Sequence, residues 1–240
     1  MRFNDYFYTP YTTNKMDKIY QEMWTAAFPK IKKGLIKVDD QIDNNTDNRR
    51  GITLLIRPTK SIIHQFQQFL QKAQEFAPNQ YYYPATDLHL TTLSIFSCQP
   101  GFNIHQIDLP TYQALIRQTL KNFPAFQINY SGITLSSSGI VAKGYDETGR
   151  LNQIRAALRN AFNTTTLPNS MDKRYSLKAA HTTLMRFRQP LKNPALFADF
   201  LAQQQNIPFG TMTVQAIDLV ANDWYMKTEQ VTLLERYLLR

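Results

Sequence analysis

The sequence predicts an α+β fold of two lobes, with two antiparallel-rich sheets flanked by helices and related by a pseudo-two-fold axis around a central cleft. Three observations lead there. Short apolar runs of strand length alternate with segments whose apolar residues recur at helical spacing. A strand–helix–strand order occurs twice, over residues 52–97 and 139–188, which is an internal duplication in architecture. Each copy closes on a strand with the same short pattern, His89-Leu90-Thr91 in the first and His181-Thr182-Thr183 in the second. Two such units form two layered α+β halves, and the motif strands then face each other across the groove between them.

The elements follow in order. Residues 1–48 are polar and Tyr-rich and are expected to form an extension that packs on the main domain, 49–240. The extension holds one helix near 14–27, a basic stretch over 30–37 and an acidic, Asn-rich loop over 39–47. Residues 52–57 read as a buried strand, and Pro58 suits the first turn of a helix. Ile62, Phe66, Phe69, Ala73 and Phe76 make that helix amphipathic and leave His64 on its surface. Tyr81, Tyr82 and Tyr83 lead into the first motif strand, 86–97. A helix follows Pro110 through Leu115, Ile116 and Leu120. Strands 126–135 and 139–145 are joined by a Ser-Ser-Ser-Gly turn. The helix over 147–162 has Leu151, Ile154, Leu158 and Phe162 on its inner stripe. After a polar loop at 163–176 come the second motif strand, 177–188, a short helix at 194–204 and two closing strands, 211–220 and 230–239.

Composition narrows the classes of function. The 240 residues are 43% hydrophobic and 12% aromatic, enough for a packed core. The net charge of +9 favours an anionic partner. Residues 141–190 hold nine Lys or Arg against three Asp or Glu, two-thirds of that excess, although a solvated basic face gives the same count. Cys98 is the single cysteine, so no intrachain disulfide forms and a reducing, cytoplasmic setting is expected. The N-terminus has no signal-peptide pattern, and no run is long and apolar enough to span a membrane. No Cys pair, His-Glu-x-x-His or phosphate-binding glycine loop is present, so neither a metal nor a cofactor is expected.

The paired motif carries the chemistry. In a strand, residues two apart point to one face, so each copy presents an imidazole beside a hydroxyl. Two imidazoles flanking a phosphate supply a base for the attacking water and an acid for the leaving oxygen, and an unperturbed pKa of about 6.5 suits both roles. The threonine hydroxyls would donate to non-bridging oxygens where charge grows. The bland alternative is two half-buried strand histidines, each satisfied by one partner.

At these residues the chain resembles the 2H phosphoesterase superfamily, which includes 2′,3′-cyclic phosphodiesterases and 2′–5′ RNA ligase-like proteins. The resemblance covers roughly residues 50–240. It departs from the family at Thr92, where a bulky apolar residue usually follows the motif threonine; Leu184 supplies one in the second copy. The resemblance implies the bilobal plan, His89 and His181 as the acid/base pair, and Thr91 and Thr183 as phosphate clamps. Which histidine is base stays open. The expected activity is metal-independent hydrolysis of a 2′,3′-cyclic or 2′–5′-linked nucleotide or RNA end by a monomer, with ligation as the reverse direction. Two alternatives are a non-catalytic RNA- or nucleotide-binding module on the same fold and a partner-binding protein whose motif is accidental.

Further candidates surround the motifs. Arg186 could neutralise phosphate, yet strict alternation places it on the face opposite His181 unless a β-bulge re-aims it. Tyr83, Trp224 and Tyr225 could stack on a base or ribose, or simply pack. Lys143, Lys173, Arg174 and Lys178 could steer an anion into the cleft.

Overall fold

A computed structural model describes residues 13–173 and 177–240. It places α1 (Thr13–Lys32) ahead of the first strand–helix–strand unit, formed by β1 (Arg50–Ile56), α2 (Lys60–Phe76) and β3 (Leu90–Gln99), with the two-residue strand β2 (Tyr81–Tyr82) between α2 and β3. After α3 (Leu109–Leu120) and β4 (Phe126–Ser136), the second unit is β5 (Gly139–Tyr145), α4 (Arg150–Asn163) and β6 (Ala180–Arg186). α5 (Pro194–Gln203), β7 (Pro208–Val214), β8 (Ala216–Asp223) and β9 (Thr232–Leu238) complete the chain.

Strand order is β7-β4-β5-β6-β3-β1-β8-β9. The halves β6-β5-β4-β7 and β3-β1-β8-β9 thus mirror one another about the junction of the two motif strands. Every pairing between long strands is antiparallel. The long strands of the two halves pair at one position, Leu90 with Thr182, and β2 of the first unit adds Tyr81 with Arg186 and Tyr82 with Met185, so the strands form a single curled sheet that splits between β3 and β6. Each central helix crosses to the opposite half. α2 leaves β1 and packs on β7, α5 and β6, whereas α4 leaves β5 and packs on β3 and α3. Ile62, Phe66, Phe69, Leu70 and Ala73 of α2 are buried, and each large one contributes about 1.5–3 kcal/mol relative to exposure. The crossed helices therefore fasten the two halves together.

Three details differ from the sequence-based expectation. The first motif strand starts at Leu90 rather than residue 86, because residues 85–87 form a turn and the buried Asp87 carboxylate there accepts from Thr228 N–H (3.1 Å) and Oγ (2.6 Å). The stretch 211–220, expected as one strand, is two. β7 ends at Val214 on the rim of one half and β8 begins at Ala216 beside β1 in the other, with Gln215 as the hand-over. The helix expected at 14–27 runs to Lys32 and packs on β4, β5 and α5. Its Tyr20 hydroxyl lies 2.9 Å from the Gly144 carbonyl and 3.1 Å from the Ala180 carbonyl. Gly144 is required there, since a Cβ would overlap the Ala180 carbonyl oxygen.

Candidate active site

The motif residues line one pocket where the sheet splits. His89, Thr91, His181 and Thr183 all border it, together with Tyr83, Arg186, Trp224, Ser94 and Ser97. Register explains the grouping. Leu90 and Thr182 face each other and are buried on the core side, where Thr182 Oγ lies 2.9 Å from the Tyr130 hydroxyl. The residues flanking this pair, His89 and Thr91 on one side and His181 and Thr183 on the other, alternate to the opposite face, where all four border the pocket.

Bulges widen what the motif strands present. Thr183 pairs with Val141 but Met185 pairs with Ile140, so Leu184 is an extra residue in β6. Alternation inverts there. His181, Thr183 and Arg186 consequently share the pocket face while Leu184 and Met185 are both buried. Two of the irregularities in β3 fall between Leu54 and Leu55 and between Ile52 and Thr53 of its partner β1, and they bring Thr91, Ser94 and Ser97 to the same wall.

The two histidines are held differently. His89 Nδ1 lies 2.7 Å from the Asp87 carbonyl oxygen. A carbonyl only accepts, so Nδ1 carries the proton and Nε2 offers a lone pair. Burial pushes the ring down to about 4, with the Asp87 bond opposing and Arg57, Arg186 and His181 adding to the shift. His181 is pushed to about 4 as well, by burial and then by Arg155 and Arg186. Its Nδ1 is buried with no hydrogen-bond partner among the described residues.

Arg155 was not singled out by sequence reasoning. It is fully buried on α4. Its guanidinium donates to the carbonyls of Thr91 (2.9 Å), Thr92 (2.9 Å) and Ala179 (3.1 Å), so one cation ties the backbones of both motif strands together. Its signal was present: Arg155 stands in the inner stripe between Leu151 and Leu158, at i+4 and i−3.

The aromatic candidates divide. Trp224 borders the pocket, with the Arg49 guanidinium 4.9 Å from its ring centroid. Tyr225, expected as a stacking platform, is 1% exposed and lies behind the wall, where its hydroxyl donates to Asp39 (2.9 Å). Tyr83 touches the pocket but is 2% exposed, too enclosed to stack a base. Its hydroxyl accepts instead from Arg186 Nε (2.9 Å). Lys143 pairs with His181 in register, yet it lines a separate crevice with Tyr20 under α1. Lys173 and Lys178 are exposed, and Arg174 lies outside the described residues, as do residues 1–12. Among the described residues no group of three or more His, Cys, Asp or Glu could hold a metal ion, and no helix is long and apolar enough to cross a membrane.

Residues 61–224 match the sequence profile of the 2′-5′ RNA ligase superfamily, well over half of the chain. The chain belongs to that superfamily. Its fold is shared with several solved structures. The Thermus thermophilus protein TT0787 superposes with a TM-score of 0.57 at 20% identity, covering 79% of this chain and 98% of that one. E. coli LigT complexed with 3′-AMP superposes at 0.53 with 16% identity, covering 80% and 98%. The Agrobacterium tumefaciens protein ATU0111 gives 0.52 at 14% identity, covering 88% and 97%. No curated protein matches the chain by sequence. Superfamily membership makes the chain a phosphoesterase- or ligase-type protein, and the paired His-x-Thr motifs sit where the two halves of this fold join.

Proposed function

We propose that this superfamily member hydrolyses a 2′,3′-cyclic or 2′–5′-linked phosphodiester at a nucleotide or RNA end, using the two imidazoles and no metal. The observation that carries the reading is the patch around the Leu90–Thr182 pair, in which two imidazoles and two hydroxyls share one pocket with a re-aimed arginine. LigT, which shares the fold, is solved with 3′-AMP, ATP and phosphate, and this supports a nucleotide as the ligand class.

His89 serves as base. The Asp87 carbonyl keeps its proton on Nδ1, so Nε2 takes a proton from the attacking water as its oxygen bonds to phosphorus. The bond from phosphorus to the departing ribose oxygen breaks, and His181 gives that oxygen a proton. Thr91 and Thr183 donate to the non-bridging oxygens, and Arg186 balances their charge. His181 is neutral in the free protein because burial, Arg155 and Arg186 oppose a further charge. The phosphodiester anion offsets those cations, so the acid is charged when substrate arrives. Run backwards, the same pair joins ends. The reading places a monomer in the reducing cytoplasm, in keeping with a lone cysteine.

The test is hydrolysis of a 2′,3′-cyclic nucleotide in EDTA. Wild-type protein turns over, and His89→Ala and His181→Ala each lose activity by at least two orders of magnitude, in line with the usual contribution of acid–base catalysis, roughly 100-fold or more. Activity abolished by the chelator, or retained in both variants, overturns the proposal.

A further inference from the structure

We propose that Asp39, in the segment ahead of the family-matched residues, is a positioning residue that aims Arg186 at the bound phosphate. The proposal rests on the reading of the pocket as a phosphodiester site. The superfamily match begins at residue 61, so nothing in it assigns a role to this strap.

Arg186 is constrained on three sides. Its Nε donates to the Tyr83 hydroxyl (2.9 Å), its Nη1 lies 3.9 Å from Asp39 Oδ2, and its guanidinium carbon lies 5.8 Å from the Tyr225 ring centroid. Neither Nη nitrogen makes a hydrogen bond among the described residues, and Arg186 lines the pocket that His181 and Thr183 share, so the guanidinium retains donors for a bound anion. Asp39 fixes two of those three sides, because its other oxygen accepts from the Tyr225 hydroxyl (2.9 Å). The strap is itself anchored. Asp39 N–H donates to the carbonyl of Phe187, the residue after Arg186 (2.8 Å), and Gln41 N–H donates to the Asp39 carboxylate (3.3 Å). Lys227 adds a bond from Nζ to the Ile42 carbonyl (3.2 Å), tying the strap to the loop that carries Trp224 and Tyr225.

Two effects of Asp39 oppose each other. Its negative charge repels a phosphate, and its contacts hold the guanidinium in place. The Asp39 and Arg186 side chains are only 18% and 19% exposed, so solvent screens their attraction incompletely. A freed arginine side chain regains several rotamers, which disperses its charge away from the phosphate. Positioning outweighs repulsion on this argument, and a double-mutant cycle separates the two. If repulsion alone operated, Asp39→Asn would tighten anion binding whatever stood at position 186. If Asp39 positions Arg186, the variant weakens binding only while Arg186 is present.

The experiment measures inorganic phosphate affinity by titration calorimetry at low salt for wild type, Asp39→Asn, Arg186→Gln and the double variant, with 2′,3′-cyclic nucleotide turnover followed in parallel. Asp39→Asn is expected to weaken phosphate about tenfold and to raise KM more than it lowers kcat, while in the Arg186→Gln background it changes affinity less than about twofold. Tyr225→Phe, which removes one Asp39 contact with little change of shape, gives a smaller loss with the same dependence on Arg186. Asp39→Glu recovers most of the affinity. Unchanged or tighter binding by Asp39→Asn, an equal loss in both backgrounds, or a wild-type chain that binds no phosphate overturns the inference. A wild-type chain that shows the coupling but turns over no cyclic nucleotide overturns the hydrolytic reading and leaves the positioning role standing.

Discussion

The proton on His89 Nδ1 is fixed by a backbone carbonyl, and that carbonyl is fixed in turn by its own residue's side chain. Asp87 is buried, and one carboxylate oxygen accepts from Thr228 N–H, Thr228 Oγ and Thr86 Oγ at 3.1, 2.6 and 2.9 Å. Removing it frees the turn that presents the carbonyl to the ring. Asp87→Ala is therefore expected to lower kcat/KM on a cyclic nucleotide on the order of 100-fold, the cost of a small misplacement of a reacting group. The Nδ1 proton resonance of His89 should broaden in the same variant, and an unchanged resonance with unchanged turnover would remove Asp87 from the argument. His181 behaves differently, since its Nδ1 has no such support among the described residues. Its ring, held to about 4 by burial, Arg155 and Arg186, gains a proton when an anion binds. Phosphate binding near pH 6 should accordingly take up a proton. Calorimetry in buffers of different ionisation heat reads that uptake, and it should fall in His181→Asn to the smaller part taken up at His89.

Strand β6 and helix α4 decide which side chains the site receives. The bulge at Leu184 turns Arg186 onto the face of His181, and Arg155 braces the backbones on both sides of the split. Arg155→Met keeps most of the side-chain volume but leaves carbonyl groups of Thr91, Thr92 and Ala179 without those donors. Bonds to a charged donor are worth about 1.5–3 kcal/mol each and are not additive, so a loss of roughly 3–5 kcal/mol is expected. Urea unfolding measures it. The same variant removes a cation that disfavours charged His181, so that ring's pKa should rise, as followed by NMR. These two features also mark how far the sequence was legible. Hydrophobic period and the repeated motif identified the strand–helix–strand units and the four motif residues, because those depend on local pattern. A bulge depends on how two strands share their hydrogen bonds, and one sequence does not contain that; alternation alone put Arg186 on the wrong side. Arg155 stood in an apolar stripe as a visible exception, but its partners are backbone carbonyls, which carry no residue signature. Asp39 and Tyr225 meet across 186 positions, beyond any local rule. The hand-over at Gln215 was missed because both flanking segments are good strands and only the tertiary pairing separates them.

At the level of the whole molecule, two neutral imidazoles enclosed at the junction of the halves make stability depend on pH. An unfolded chain binds protons at these rings near the ordinary value of 6.5, whereas the folded chain does so only near 4. Between those values the unfolded state holds more protons, so stability is full above about pH 6.5, falls as pH drops toward 4 and levels off below it. Each ring contributes on the order of 3 kcal/mol across the window, from 1.36 kcal/mol per unit of displacement. Carboxylates held below their usual range, such as Asp47 through its bond to Arg49, weaken the fold only further down, beneath 3.8. The two windows are separable. Urea unfolding at pH 7.5, 5.5 and 4.5 should show a steep decline in wild type and a much shallower one in His89→Asn/His181→Asn, whatever the absolute stability of the variant. An equal slope in both proteins would place the acid sensitivity elsewhere in the chain. Phosphate supplies the link to function: an anion between the rings raises their affinity for protons, so saturating phosphate should flatten the wild-type decline and leave the double variant unchanged. The junction of the halves is thus expected to be weakest where its two imidazoles are charged without a ligand, and to be strengthened by the anion proposed to bind there.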